Sequence, residues 1–356
     1  MTLGLPPCLP YVAASLVEPQ ELEQMQFLVG QRLLDELSPD DLERNLFVVV
    51  ALLNTGVTSD SCEAAGLMNA ERNLQISELN LRAGKKAIQS SLFLPSVAYL
   101  NQGIALLPQN HWQSHYELSL ELYSVAAQAE YSIGNFEQMQ HHCDAVISQQ
   151  DRPLLDKRRV YNAMLDSIGA QDRMGDAAKL CVEILAKLGC KFPKYGAAFC
   201  TIAGLMRTIH AKRQRTPEMI AKYKTMTDPA KIWAMNLLDK LFTFWYQDKN
   251  DNVPLAILKS QRWTIKYGVC DVSMPNFASV GFMLGAFLAD FDGGEIYAKH
   301  ALELLEKSGS EAIKSRTLLV AYGSNLHWKI PFNDCVKPLL EGYNVGMKMG
   351  DVESAL

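Results

Sequence analysis

The stretch ISELNLRAGKKAIQSSLFLPSVAYLNQGIALLP, residues 76–108, decides the fold. Its apolar residues recur mainly at spacings of three and four, as at Val97, Leu100 and Ile104, which is the period of one face of an α-helix. We expect one helix over 71–87 and a second over 95–107, ended by Pro108. The short turn between them predicts a pair of neighbouring helices.

The same helical period continues along the chain, and the alternation typical of strands is almost absent. We therefore predict an all-α protein. Further helices are expected at 116–133, 136–147, 159–188 (as a pair), 229–246, 253–268, 275–291, 294–307, 311–329 and 334–349.

Small residues in the first pair match the tetratricopeptide repeat (TPR), a unit of about 34 residues in which two helices touch closely. Gly84 falls on the small position of the first helix, and Ser96 and Gly103 fall on those of the second. Pro108 falls on the terminal proline. Because one such pair cannot bury its apolar face alone, pairs stack. The pattern predicts a TPR-like α-solenoid of stacked antiparallel helix pairs.

Three later segments repeat this pattern less strictly, each with small residues at its expected turn. Gly281 and Gly285, one helical turn apart, are expected to let two helices approach closely. The expected turns lie at Gly134, Asn135 and Phe136 after the aromatic Tyr123, at Gly175 and Asp176 within 161–188, and at Gly293 and Gly294 within 280–305.

Composition limits the function classes. The 356 residues are 48% apolar and 21% charged, the range of a folded protein, with a formal net charge of −5. An acidic chain without a long Lys/Arg block is a poor candidate for binding nucleic acid. A linker or a surface helix is expected to hold the densest basic cluster: Arg207, His210, Lys212, Arg213 and Arg215.

The chain is expected in the cytoplasm, without a membrane span. Its eight cysteines form no C-x-x-C pair and lie mostly in apolar helical runs, as reduced, buried thiols do. The most apolar stretch, 277–291, has 15 residues and contains Asp290, whereas a membrane span needs about 20 apolar residues. The start MTLGLPPCLPYVAAS lacks the positive region of a signal peptide and is interrupted by Pro6, Pro7 and Pro10.

No pattern indicates a catalytic or cofactor site. The run AGKKA contains Gly84 and Lys85, but a phosphate-binding loop needs a glycine where Leu79 stands and a hydroxyl where Lys86 stands. The nucleophile elbow G-x-S-x-G is absent from the sequence. We therefore predict no catalytic and no cofactor-binding residues.

Other polar clusters have structural interpretations. His141, His142 and Cys143 are adjacent on a predicted helix and point about 100° apart, so they share a metal ion poorly. We expect a surface helix with a buried Cys143, and no metal site. The basic run 157–159 indicates a solvated face or, alternatively, a groove for an acidic partner segment. Helix capping is expected of two aspartate pairs: Asp40 with Asp41, and Asp290 with Asp292.

Several runs together resemble the helical region of a family of giant signalling proteins: the stretch quoted above, HWQSHYELSLELYSVAAQAEYSIGNFEQM (111–139), LLDKRRVY (154–161) and ILAKLGCKFP (184–193). That family comprises multidomain serine/threonine kinases and hybrid sensor histidine kinases with a central AAA-type, STAND-like ATPase. The resemblance covers roughly 20–356. The matching residues stand in the family's order: Leu79, Asn80, Leu81, Ala83 and Gly84; Trp112, Tyr116, Glu117 and Leu118; Leu188, Gly189 and Pro193; Met226, Asp228 and Pro229; Gly350 and Asp351.

The resemblance implies a helical part of a larger signalling protein. Walker motifs, kinase loops and a phosphoacceptor histidine box do not occur in the sequence. We therefore expect a non-catalytic helical-repeat scaffold that mediates protein–protein or interdomain contacts in signal transduction, with partner-binding residues unassigned. The alternative is a truncated piece of an ATP-dependent kinase or ATPase whose catalytic domains lie outside this chain.

The expected parts follow from the resemblance and the helical pattern. Residues 1–65 are expected to form a helical tail like the end of the ATPase module, since 27–56 resembles that tail. TPR-like repeats are expected over 66–193, an irregular connecting segment over 194–228, and a second block of helix pairs over 229–356.

Overall fold

The computed structural model describes residues 18–57, 62, 64–193, 196–212 and 223–355, and these form an all-α fold, as predicted. These ranges hold no strand, only one isolated bridge between Thr225 and Val269. The α-helices are α1 Pro19–Glu36, α2 Pro39–Val57, α3 Ala70–Gln89, α4 Phe93–Ala105, α5 His111–Ser114, α6 Tyr116–Ser132, α7 Phe136–Ile147, α8 Arg158–Ala170, α9 Met174–Lys187, α10 Ala197–Lys212, α11 Pro229–Gln247, α12 Val253–Tyr267, α13 Ser273–Leu288, α14 Phe291–Ser308, α15 Lys314–Leu318, α16 Phe332–Met349 and α17 Val352–Ala355.

Local capping chemistry sets many helix ends. Asn69, Asn135 and Asp290 each precede a helix and accept a hydrogen bond from the backbone N–H three residues on. Gly134 follows α6 with φ +77°, a left-handed conformation that glycine adopts without strain. The predicted turn at Gly134 and the predicted cap at Asp290 are therefore confirmed.

The chain divides into two compact units between Ser167 and Ile168. Unit 1 begins with two antiparallel helices, because Phe27 of α1 covers Gly56 near the end of α2 while Gly30 lies against Leu53. Phe27 is fully buried, and its core extends to Leu79 of α3. The tail expected over 1–65 thus contains an antiparallel pair within its described part.

The helices α3 and α4 meet through the small residues that the repeat pattern predicted. The buried Ser96 hydroxyl donates to the carbonyl oxygen of Gly84 at 3.0 Å, and the Ser77 hydroxyl donates to that of Gly103 at 2.8 Å. A Cβ added at Gly84 would lie 2.6 Å from Leu100. These positions leave no room for a larger side chain, and the pairing of early α3 with late α4 shows that the helices are antiparallel.

Unit 2 has its core around α13 and α14. The Phe277 ring stacks on the Tyr297 ring with centroids 6.0 Å apart, and both side chains are buried. A Cβ added at Gly281 would lie 2.8 Å from the carbonyl oxygen of Gly294, whereas one added at Gly285 would lie 3.5 Å from Phe291. The predicted close helix contact is confirmed at Gly281, whereas Gly285 makes only an ordinary contact.

Two predicted turns lie a few residues from the observed ones. The turn predicted within 161–188 falls at 171–173, before Gly175, and Asp172 in it has φ 60°. Gly293 and Gly294 lie inside the first turn of α14, because Ala289 already ends α13 in a left-handed conformation, φ 51°. Gly294 lets α14 approach α13 closely, and neither glycine forms the turn.

The helix predicted over 311–329 is broken. After α15 the chain forms a π-helix at Leu319–Gly323 and a 3₁₀ turn at Leu326–Trp328. Between them the buried Asn325 amide donates to the carbonyl oxygens of Ala278 and Val320, at 3.0 and 2.8 Å. These bonds draw the backbone out of the regular helical register.

The apolar stretch 277–291 lies mostly within α13, and no helix in the described ranges combines the length and the apolar character that crossing a membrane requires. Five of the described cysteines are buried, including Cys143, Cys181 and Cys190. Burial raises the pKa of the Cys143 and Cys181 thiols to about 12 and that of Cys190 to about 11. Burial of most free thiols is confirmed for the described part of the chain.

Candidate protein interaction surfaces

The glycine–lysine run lies near the C-terminal end of α3, inside the helix. Gly84 packs on Leu100, and the two lysines that follow extend toward carboxylates. Lys85 forms an ion pair with Glu121 at 2.7 Å, and Lys86 reaches Glu43 at 3.5 Å. Backbone N–H groups inside a helix already bond to carbonyl oxygens, so this run offers no cradle for phosphate.

The segment 141–143 lies on a surface helix, as predicted, because His141 of α7 is exposed. Cys143 is buried, as predicted, with its sulfur 3.7 Å from the carbonyl oxygen of Val160. His142 is buried as well, under the Tyr123 ring at 5.7 Å, and burial lowers its pKa to about 4. The residues with described placement contain no group of three His, Cys, Asp or Glu side chains able to hold a metal ion.

The basic run 157–159 is a solvated face only in part, since Arg158 and Arg159 are exposed. Lys157 is buried, and its ammonium donates to the carbonyl oxygens of Ile147 and Gln149 after the end of α7. Arg159 binds both carboxylate oxygens of Glu121, at 2.8 and 2.9 Å. Burial alone would raise the pKa of Glu121, but hydrogen bonds from Lys85 and Arg159 lower it below its usual range.

The helix α16 carries an apolar stripe that no described residue covers. Val336, Leu340, Tyr343 and Met347 follow one another at spacings of four, three and four, and between 39% and 57% of each is exposed. This spacing is that of the contact positions in a pair of packed helices. On a neighbouring face, Gly342 lies against Leu318 of α15. The helix is therefore buried on one face and open on another.

A second open surface is the groove between α10 and α12, with a volume of about 580 Å³. On α10, Phe199 and Ala203 line one wall, and the Phe199 side chain is 75% exposed. On α12, Leu258 and Ile265 line the other wall. Exposed apolar side chains so close together are typical of a surface that binds another molecule.

The rim of this groove is basic. Arg207, Lys259 and Arg262 line it, and its described lining contains no aspartate or glutamate. The Lys259 ammonium donates to the carbonyl oxygen of Lys191 and lies 5.2 Å from the centre of the Phe192 ring. The groove thus combines apolar walls with positive charge.

Only part of the basic cluster predicted on a linker or surface helix reaches this groove. The helix α10 holds Arg207, His210 and Lys212, so the segment expected to be irregular is helical there, whereas Arg213 and Arg215 lie outside the described residues. The sequence offered Arg207 as a candidate, but it did not indicate the partners on α12.

The comparisons with known proteins add no relative. No protein-family model matches the chain, and no curated protein matches it significantly. The resemblance to signalling kinases with a STAND-like ATPase therefore stays a prediction from the sequence motifs.

Proposed function

We propose that this chain is a non-catalytic helical-repeat scaffold, a TPR-like solenoid that holds protein segments together within a signal-transduction protein. The open stripe of α16 carries the proposal. Antiparallel helices joined by small-residue contacts, as at Gly84 and Ser96, support the repeat architecture. The sequence motifs shared with signalling proteins support the setting.

The stripe has the properties of a helix-docking surface. Its four apolar residues keep the alternating spacing over three intervals, so a second helix with the same spacing can pack along it. Fully burying one side chain of this size stabilises a complex by about 1.5–3 kcal/mol. The partner is a helix supplied by another domain or another protein.

Site-specific photo-cross-linking tests this function. A benzophenone amino acid replaces Leu340 in the stripe or, as a control, Lys179, whose side chain is 78% exposed on α9. We expect a discrete adduct from position 340 in cells, lost when Val336→Glu is added, and mass spectrometry should locate the cross-link on an apolar position of a partner helix. Equal adducts from both positions would contradict the proposal.

Calorimetry tests the non-catalytic part of the proposal. The chain is titrated with Mg·ATP, and we expect no binding at micromolar concentrations because the glycine–lysine run lies within α3. Micromolar binding would favour a nucleotide-dependent enzyme instead.

A further inference from the structure

We infer that the groove between α10 and α12 binds an acidic amphipathic helix of a protein partner. This inference rests on the proposed scaffold function and specifies one kind of partner. It concerns surfaces within unit 2 and uses none of the residues of the α16 stripe.

The apolar walls of the groove favour a partner helix with an apolar face. Phe199 and Ala203 of α10, one helical turn apart, line one wall. Leu258 and Ile265 of α12 line the other wall, so the apolar face of a docked helix can lie between them. At the base, α10 and α12 touch, because a Cβ added at Gly204 would lie 2.8 Å from Leu258. The contact closes the floor and leaves the apolar walls open above it.

The polar groups of the floor are already satisfied. The Thr208 hydroxyl donates to the side-chain oxygen of Gln261 at 3.1 Å, and the Gln261 amide donates to the Tyr297 hydroxyl at 2.9 Å. Thr208 and Gln261 are both buried. Because these two side chains have partners, an apolar occupant leaves neither of them unpaired.

The positive charge at the rim of the groove favours a partner with negative charge. Arg207 and Arg262 are exposed, and the described lining offers them no carboxylate. Glutamates flanking the apolar face of a docked helix would lie near these guanidinium groups and pair with them. A second copy presenting the same groove would instead add its own cations, and like charges oppose association. Acidic flanks therefore distinguish the partner from a copy of this chain.

Peptide binding to the full chain tests the inference. The probe is a fluorescent amphipathic peptide of about 18 residues, about 27 Å as a helix, with leucines on one face and glutamates flanking them. We expect Arg207→Glu with Arg262→Glu to weaken binding about tenfold and to favour a matched peptide with lysine flanks. Arg32→Glu on α1, whose side chain is 78% exposed, should leave binding unchanged.

Several results would overturn the inference. These are absence of binding to the glutamate peptide, equal binding of the two peptides, or an unchanged affinity after the double charge reversal. Stronger binding of a single-stranded RNA oligonucleotide, lost in the double variant, would assign the groove to nucleic acid. Phe199→Ser provides a second arm, since this exposed side chain should contribute to binding and little to folding.

The two experiments distinguish failure of the groove inference from failure of the scaffold function. If the peptide does not bind while the cross-link from position 340 persists, the groove inference is wrong and the scaffold function stands. If the cross-link is absent as well, the scaffold function is contradicted. Circular dichroism and thermal melting of each variant confirm that its fold is retained.

Discussion

Close contacts at single glycines fix the spacing of the first helix pair. A Cβ added at Gly103 would lie 2.9 Å from Leu122 and 3.2 Å from both Asn80 and the carbonyl oxygen of Ser77. We expect Gly103→Leu to force the helices apart and to lower the free energy of unfolding by about 1–3 kcal/mol. Lys86→Ala should cost less, about 1 kcal/mol or below, because the ion pair, the hydrogen bond to Glu43 and the contact with the Phe47 ring that Lys86 makes are partly exposed.

Thermal melts of the two variants compare these costs directly. Equal melting temperatures would show that the register assigned to α3 and α4 is wrong. The confirmed contact at Ser96 predicts the opposite, since its hydroxyl reaches Gly84 only in this register.

Buried His142 makes stability depend on pH. Burial lowers its pKa from 6.5 to about 4, so the unfolded chain binds a proton between these values that the folded chain does not. The free energy of unfolding should therefore fall as the pH decreases from about 6.5 to 4, by at most about 1.4 kcal/mol per pH unit. Within the described part of the chain neither ring nitrogen has a hydrogen-bond partner.

The variant His142→Phe removes the titrating group without breaking a hydrogen bond to a described residue. We expect its melting temperature to fall less than that of the unchanged chain between pH 7 and pH 5. Parallel curves for the two proteins would show that His142 is protonated to the same extent in both states.

At the scale of elements, two glycines on one helix have different roles. A Cβ at Gly281 would lie 2.8 Å from the carbonyl oxygen of Gly294 and from the side-chain oxygen of Asn325, while one at Gly285 would make only an ordinary contact with Phe291. We expect Gly281→Ala to destabilise unit 2 by about 1–3 kcal/mol. Gly285→Ala should be neutral or stabilising by up to about 1 kcal/mol, since alanine favours helix.

Denaturant unfolding of both alanine variants measures the difference. The pair is matched in helix, residue type and size of change, so propensity effects cancel between them. A Gly281→Ala variant as stable as Gly285→Ala would show that α13 and α14 lie further apart than the structure places them.

Helix positions followed from sequence wherever local chemistry decided them. The helix α7 lies where it was predicted because Gly134 and the Asn135 cap sit beside it in the chain. The break after α15 could not be predicted in this way, because Asn325 bonds to Ala278, which is distant in the sequence. The prediction of a turn at Gly294 was wrong for the same reason, because its close contact with Gly281 is a tertiary contact.

The two candidate surfaces also differ in how far local sequence predicts them. The spacing of the apolar residues in α16 indicates a stripe. Because two groups of such residues lie on that helix, only the packing of Gly342 on Leu318 shows which group is buried. The groove combines residues of α10 with residues of α12 that lie about fifty positions away, so only Arg207 was available from the sequence as a candidate.

For the whole molecule, the proposed solenoid predicts a stability that is the sum of local terms. In an array of stacked helices each unit contacts its neighbours, so damage spreads only a short distance. We expect Gly103→Leu to increase hydrogen exchange in α3, α4 and α6, where its contacts lie, and to leave exchange in α13 and α14 unchanged. Mass spectrometry of peptic fragments resolves the two regions. Uniform deprotection of both would indicate a single cooperative unit.

The distribution of thiols gives this protein its own attachment point for a label. Cys200 is exposed and lines the groove of α10, whereas Cys143, Cys181 and Cys190 are enclosed and hold their protons tightly. Among the described cysteines, a maleimide dye should therefore reach Cys200 first. The fluorescence intensity or anisotropy of that dye would then report occupancy of the groove in real time, in a chain whose sequence has not been altered.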